Sequence, residues 1–218
     1  MSNAKEAILG RIREALTDVP EDENLQTQRN YRQEGTLGRQ QVVDLFAERV
    51  AEYKAKVSRI PREEKITASI RDACHQRAVE KLVIPEGFPS DWLPEGFTFI
   101  RDSADDLVSH HELDQTDGVV TTCALGVAET GTIILDAGAG QGRRALTLIP
   151  DYHLCIVREE QIVELIPEAF DHFEQKVSQE GAPITMISGP SATSDIELNR
   201  VEGVHGPRIL DVLIIGNE

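Results

Sequence analysis

The sequence is poor in cysteine, and this shortage bears on which metals and redox groups the chain can hold. The three cysteines, Cys74, Cys123 and Cys155, stand far apart among 218 residues. There is therefore no CxxC pair for zinc and no cysteine run for an iron–sulfur cluster. An odd cysteine count also argues against a secreted disulfide framework. We expect no metal site and no cofactor in this chain, and cysteines that act as small buried residues.

Basic residues and long apolar runs are also scarce. The chain has 22 Lys and Arg against 38 Asp and Glu, a net charge of −16. This charge repels nucleic acid and anionic lipid surfaces. No apolar run approaches the roughly 18 residues that a membrane span requires, and the first residues lack the apolar core of a signal peptide. We expect a cytoplasmic protein that neither binds nucleic acid nor spans a membrane.

The first third of the chain has a helical pattern. Apolar residues recur at helical spacing over residues 2–16, 42–57 and 62–79. Residues 17–37 are polar, contain Pro20 and Gly35, and show no apolar periodicity. The sequence therefore predicts a helical N-terminal segment, residues 1–60, that contains a polar linker at 17–37.

From Lys81 onward, short apolar runs alternate with polar stretches. Strands and crossover helices in this order are typical of a mostly parallel sheet covered on both faces. We therefore predict an α/β domain over residues 61–218, with an open, mostly parallel sheet and helices on both faces. Two runs between Val119 and Leu135 lie too close together for a crossover helix, which indicates a local antiparallel excursion. The predicted strands are 82–84, 98–100, 119–120, 132–135, 154–157, 184–187 and 212–215, and the predicted helices follow Asp102, cover 167–177 and begin at Ser194.

The segment SGPSATSD, residues 188–195, is the most informative of the polar stretches. It follows an apolar run, which predicts a strand that ends in small residues just before a helix. At such a junction, unpaired backbone N–H groups and the positive end of the helix face the same point. A phosphate or carboxylate fits such a point, although a capped turn without a ligand explains the same residues equally well. We expect Asp195 to orient the loop. The candidate ligand-binding residues are Ser188, Gly189, Ser191 and Thr193.

A second loop, residues 121–132, has Glu129 as its only carboxylate among small residues. A carboxylate in this setting acts as a base, a nucleophile or a hydrogen-bond acceptor. The alternative is a solvated or backbone-capping glutamate. The candidate ligand-binding residues of this loop are Gly126, Thr130, Gly131 and Thr132.

A third loop, residues 203–208, places His205 between glycines and Arg208 close behind. An imidazole can serve as an acid or base near neutral pH, and an arginine pairs a carboxylate or phosphate bidentately. Lone histidines are more often structural, and none in this chain has metal-ligand spacing. Gly206 and Arg208 are the candidate ligand-binding residues. Because ligands in open α/β sheets bind beyond the carboxyl ends of strands, we expect the three loops to meet in one crevice there.

The glycine-rich run GAGQG, residues 138–142, precedes Arg143 and Arg144. It does not match a dinucleotide-binding fingerprint, because the third glycine has the wrong spacing and residues 145–149 read as extended rather than helical. We interpret it as a hairpin turn with two exposed arginines.

Four segments resemble the lactate utilization protein C family, whose members share the LUD domain. They are GVAETGTIIL, LIPDYHLCIV, SGPSATSDIE and GVHGPRILDVLII, and the resemblance covers roughly residues 81–215. It implies a fold like that of the CoA-transferase, ribose-phosphate isomerase and glucosamine-phosphate deaminase group. It also implies a role in oxidising L-lactate to pyruvate with separate iron–sulfur subunits as partners. The resemblance carries over Glu129, Asp195 and His205 as candidate catalytic positions.

Three functions remain open on the sequence alone. The first is a subunit without its own redox cofactor, which binds a small anionic metabolite and supports lactate oxidation by iron–sulfur partners. The second is an autonomous enzyme of the CoA-transferase or sugar-phosphate isomerase type that uses Glu129. The third is an interaction module that docks its partners through the N-terminal helix and linker. We favour the first.

Overall fold

The computed structural model describes residues 2–19, 30–193, 201–202 and 206–216. The chain divides into two compact units, Met1–Tyr31 and Arg32–Glu218. The first unit contains helix α1 (Ser2–Ala15), whose apolar residues are solvent-exposed. The helical N-terminal segment is therefore present, and the proposed domain boundary after residue 60 stays a prediction.

The second unit contains the remaining helices and the strands. Its helices are α2 (Arg39–Glu52), α3 (Ile66–Arg77), α4 (His110–Asp114) and α5 (Ile166–Glu180). The strands are β1 (Lys56–Ile60), β2 (Lys81–Pro85), β3 (Thr98–Asp102), β4 (Gly118–Thr122), β5 (Leu125–Val127), β6 (Thr132–Leu135), β7 (Tyr152–Arg158), β8 (Ile162–Val163), β9 (Thr185–Ile187), β10 (Ala192–Thr193), β11 (Val201–Glu202) and β12 (Ile209–Ile215). Among the described residues, no helix is long and apolar enough to cross a membrane.

The main sheet has the strand order β1-β12-β7-β4-β2-β3, and its neighbouring strands all pair in parallel. Its central strands β7 and β12 are almost entirely buried, which explains their continuous apolar sequences. Helix α3 covers one face of the sheet, and α2 together with part of a second sheet covers the other. The predicted α/β class, with a mostly parallel sheet, is confirmed.

The second sheet has the order β8-β5-β6-β9, with β5 and β6 paired antiparallel. Helix α5 packs Ala169 and Phe173 against its strands. The antiparallel excursion predicted between Val119 and Leu135 is therefore present, and it forms a hairpin that leaves the main sheet.

The helix predicted over residues 42–57 is wrong at its end. Helix α2 ends at Glu52, and Lys56–Ile60 forms an edge strand that pairs in parallel with β12. Val57 and Ile60 fit a helical spacing, but both are β-branched and pack against the sheet. Pairing with β12, a strand far along the chain, makes this segment a strand, and local periodicity cannot predict such a pairing.

The hairpin predicted at GAGQG is also wrong. The run follows β6 and leads into a short 3-10 helix, Arg144–Thr147, where the sequence suggested extended chain. Arg143 is half-buried and pairs with Asp102 Oδ1 at 2.9 Å, so only Arg144 is exposed. The packing of Leu146 into the core beside Val83 and Val119 explains the compact turn.

Candidate functional site

The described parts of the SGPSATSD segment and of the third loop meet in space. The backbone N–H of Ser191 donates to the carbonyl of Pro207 at 2.8 Å, which ties the end of one loop to the other. Together they line a pocket of about 240 Å³, which we call the loop pocket. Four predicted ligand-binding residues line it, namely Ser188, Gly189, Ser191 and Gly206. Residues that the sequence interpretation did not assign to a site complete the wall, among them Arg144, Thr147 and His153.

The loop pocket lies at the amino-terminal edge of the main sheet, so the expected position beyond the carboxyl ends is wrong for the two loops that line it. Pro207 comes directly before β12, and His153 is the second residue of β7. The SGPSATSD segment follows β9, which belongs to the second sheet rather than the main sheet. The sequence of a loop does not reveal which sheet the preceding strand joins. The sheet that this strand joins determines at which edge of the main sheet the loop lies.

The second loop, residues 121–132, reaches the loop pocket through hydroxyl groups rather than through Glu129. The Oγ1 of Thr132 lies 2.9 Å from the Oγ of Ser188 and 2.7 Å from the Oγ1 of Thr130. The Glu129 carboxylate instead accepts from Arg32 Nη2 at 2.8 Å, and both side chains are about half exposed. In the described part of the chain, Glu129 is not among the residues that line the loop pocket.

The two glycines of the second loop, Gly126 and Gly131, are packing positions. A Cβ on Gly126 would stand 3.0 Å from the ring of Phe46 in α2. Gly131 has a φ of +57°, and a Cβ there would stand 2.7 Å from the carbonyl carbon of Arg49. Both glycines therefore let the β5–β6 hairpin approach α2 closely.

Arg144 is the arginine that borders the loop pocket. Its Nη1 donates to the carbonyl and Oγ1 of Thr147 at 2.8 and 3.0 Å, which anchors the guanidinium at the wall. Arg208 instead pairs with Asp151 at 3.1 Å on the surface, and both side chains are largely exposed. The sequence offered Arg144 only as a residue after a glycine run, and the turn that brings it to the pocket was not predicted.

Several predicted site residues lie outside the described residues. These are the candidate catalytic residues Asp195 and His205, together with the predicted helix from Ser194. Thr193 is placed by its backbone, which pairs with Val201. Catalytic roles for Glu129, Asp195 and His205 therefore remain predictions.

The three cysteines are buried and free. Burial raises the pKa of the Cys74 thiol to about 11, and the nearby Asp211 carboxylate acts in the same direction. A hydrogen bond with Cys155, together with burial, raises the pKa of Cys123. Cys74 and Cys123 are therefore protonated and poorly nucleophilic at neutral pH. Within the described ranges, no group of three or more His, Cys, Asp and Glu side chains is placed to hold a metal ion.

The fold and its polar pocket define a class, an α/β domain with an open parallel sheet and a cavity of small-metabolite size at an edge. Residues 43–215 match the LUD domain, and the chain belongs to this family. Lactate utilization protein C from Deinococcus radiodurans is 46% identical over 180 residues, which cover 83% of this chain and 82% of that protein. The predicted family is confirmed.

Two further comparisons agree with this assignment. Lactate utilization protein C from Shouchella clausii is 34% identical over 108 residues, covering 49% of this chain and 47% of that protein. The crystal structure of a DUF162 family protein from Deinococcus radiodurans superposes with a TM-score of 0.72 at 39% identity, over 83% of this chain and 100% of that chain.

Proposed function

We propose that this chain is a lactate utilization subunit that takes part in the oxidation of L-lactate to pyruvate together with separate iron–sulfur subunits. The observation that carries the proposal is the 46% identity, over most of both chains, to a protein named lactate utilization protein C. In this role the chain contributes ligand binding and contacts to its partners, while electron transfer belongs to the iron–sulfur subunits.

The loop pocket is the anion site of the proposed subunit. Arg144 supplies a positive charge, and Ser188, Ser191 and Thr147 supply hydroxyl groups. Charge-assisted hydrogen bonds from such groups suit a carboxylate or a phosphate. The volume of about 240 Å³ suits a metabolite of a few heavy atoms.

The geometry around Glu129 favours the subunit over an autonomous enzyme. A nucleophilic or basic carboxylate has to reach the substrate. The Glu129 carboxylate is instead engaged by Arg32, and among the described residues it contributes nothing to the lining of the loop pocket. For this reason we rank an enzyme of the CoA-transferase type that uses Glu129 second, after the subunit role.

A reconstitution tests the subunit role. L-lactate-dependent reduction of an artificial electron acceptor is measured with this chain alone, with the proposed iron–sulfur partner subunits alone, and with all components together. We expect activity that requires both this chain and the iron–sulfur subunits. Equal activity without this chain would remove the subunit role, and turnover by the chain alone would establish the autonomous enzyme.

Two arginine variants test the anion site by ligand binding. Arg144→Gln removes the cation at the loop pocket, so we expect it to weaken anion binding by about tenfold. Arg208→Gln is the matched control, because its partner Asp151 lies on the surface. Melting temperatures measured against increasing L-lactate, pyruvate and phosphate report binding. If Arg144→Gln responds to the ligands as the unchanged chain does, Arg144 does not bind the anion.

A further inference from the structure

The carboxyl edge of the main sheet contains a second crevice, separate from the loop pocket. Strands β2 and β4 are neighbours, but the chain continues from β2 to β3 on one side and from β4 toward β7 on the other. The two connections also cover opposite faces of the main sheet. Trp92, in the β2–β3 connection, packs in the core on the α3 side, and Ile133, in the β4–β7 connection, packs in the core on the α2 side. Strand ends that diverge in this way form the usual ligand crevice of open α/β sheets.

The glycine-rich run crosses this crevice and leaves a cleft beside it. Gly140 donates its N–H to the carbonyl of Glu86 and accepts the N–H of Thr122, both at 2.8 Å, so it bridges the ends of β2 and β4. On the side toward β7 there remains a cavity of about 380 Å³, which we call the switch-point cleft. Its polar lining includes Thr122, Asp136, Gln141, Arg158 and Gln161.

Arg158, the last residue of β7, is positioned in the cleft by contacts with Glu63 and Trp92. Its Nη1 donates to Glu63 Oε2 at 2.8 Å, and its guanidinium carbon lies 5.3 Å from the centre of the Trp92 ring. Its backbone N–H donates to Gln161 Oε1 at 2.9 Å. As far as the described residues extend, these contacts leave Nε and Nη2 for a further acceptor. A fixed guanidinium loses little conformational entropy when it binds an anion.

Each charged group in the cleft has a partner, because Arg158 shares one Nη with Glu63 and Asp136 pairs with Lys176. The Asp136 carboxylate pairs with Lys176 and accepts the N–H of Gly138 at 2.9 Å. Burial raises the pKa of Asp136, but the hydrogen bonds from Lys176 and Gly138 outweigh this effect, so the pKa lies below its ordinary value. Asp136 therefore stays ionised and paired, and Arg158 is the group positioned for an added negative charge.

We propose that the switch-point cleft binds a small metabolite through its carboxylate, with Arg158 as the binding residue. The planar edge formed by Nε and Nη2 matches a carboxylate bidentately. One guanidinium suits a monoanionic carboxylate better than a phosphate dianion, which several cations would have to neutralise. This site is separate from the loop pocket and does not depend on the proposed role in lactate oxidation.

Trp92 gives a direct readout of this site. It is the single tryptophan of the sequence, it lines the cleft and it contacts Arg158, so its emission reports on the cleft rather than on the loop pocket. The purified full chain is titrated at constant ionic strength with L-lactate, succinate and inorganic phosphate, and calorimetry gives the dissociation constants independently. We expect saturable binding of at least one carboxylate. No saturable carboxylate binding, or saturation with phosphate alone, would overturn the proposal.

Two variants break the same ion pair and separate binding from structural support. Arg158→Met keeps an unbranched side chain beside Trp92 but removes the guanidinium, so we expect carboxylate binding at least tenfold weaker. Glu63→Gln removes the competing carboxylate and keeps the guanidinium, so we expect equal or tighter binding. Arg71→Met, at an exposed position of α3, is the matched control and should bind as the unchanged chain does. Equal losses from Arg158→Met and Glu63→Gln would reduce Arg158 to a structural role and overturn the assignment.

Discussion

At the scale of single residues, buried carboxylates in this chain are satisfied by specific partners. Burying an ionised carboxylate costs several kcal/mol unless hydrogen bonds and a cation compensate. Glu164 accepts the N–H groups of Thr36 and Leu37 at 2.6 and 2.7 Å and pairs with Arg32 at 3.0 Å. Asp211 and Asp102 are similarly engaged by Arg77 and Arg143. These carboxylates therefore attach surface segments to the core.

Substituting Glu164 tests this role. Glu164→Gln keeps the size but removes the charge. Its amide oxygen can still accept both backbone N–H groups, which share one carboxylate oxygen, but its NH2 group then faces the Arg32 guanidinium, so we expect a loss of about 2 to 3 kcal/mol in the free energy of unfolding. Glu129→Gln is the matched control, because the same Arg32 contacts this half-exposed carboxylate, and we expect it to cost about 1 kcal/mol or less. Urea unfolding measures both. Equal losses would contradict the special role of the buried carboxylate.

At the scale of elements, the β5–β6 hairpin approaches the C-terminal end of α2 closely. The approach depends on Gly131, whose missing side chain leaves room for the backbone of Arg49. The same turn carries Thr130 and Thr132, which lead by hydrogen bonds to Ser188 at the loop pocket. The position of the hairpin and the shape of the pocket are therefore coupled.

Two glycine variants separate backbone strain from close approach. Gly131 and Gly181 both have positive φ, +57° and +63°, but an added Cβ at Gly181 has open space. We expect Gly181→Ala to cost about 1 kcal/mol from strain alone. Gly131→Ala should cost about 2 to 4 kcal/mol, because α2 must also shift. Chemical denaturation gives both values, and similar costs would show that the hairpin adjusts without resistance.

At the scale of the whole molecule, the parallel sheet requires cover on both faces, and the segment that precedes α2 helps to hold that cover in place. Arg32, Thr36 and Leu37 bind Glu164 beside β8, and Arg39 donates to the carbonyl of Ile162 at 2.7 Å. Residues that the sequence marks as part of a linker therefore attach α2 to the second sheet.

Two truncations test this attachment. Removing residues 1–31 leaves Arg32, Thr36 and Leu37 in place, whereas removing residues 1–37 leaves Glu164 without them. We expect the longer truncation to melt about 5 °C below the shorter one, since a loss of about 2 kcal/mol shifts the melting temperature of a chain of this size by a few degrees. Calorimetry measures the difference. Equal melting temperatures would mean that the segment adds nothing to stability.

The elements that sequence could predict are those whose signal is local. The β7 and β12 runs are apolar and short because their strands are buried on both faces, and both were predicted. Strand β1 was missed, because the spacing of Val57 and Ile60 fits a helix and only its pairing with β12 makes it a strand. Arg144 was set aside for a similar reason, since its place at the pocket depends on how the preceding turn folds.

The sequence by itself determined the α/β class, the antiparallel excursion and the LUD family, because strand patterns and family motifs can be recognised in short continuous segments. Only the tertiary structure decided which loops share a pocket, at which edge of the sheet that pocket lies, and that Glu129 pairs with Arg32. These properties depend on strand order and on contacts between residues distant in the chain. Packing of the whole core selects those contacts, and no single segment encodes them.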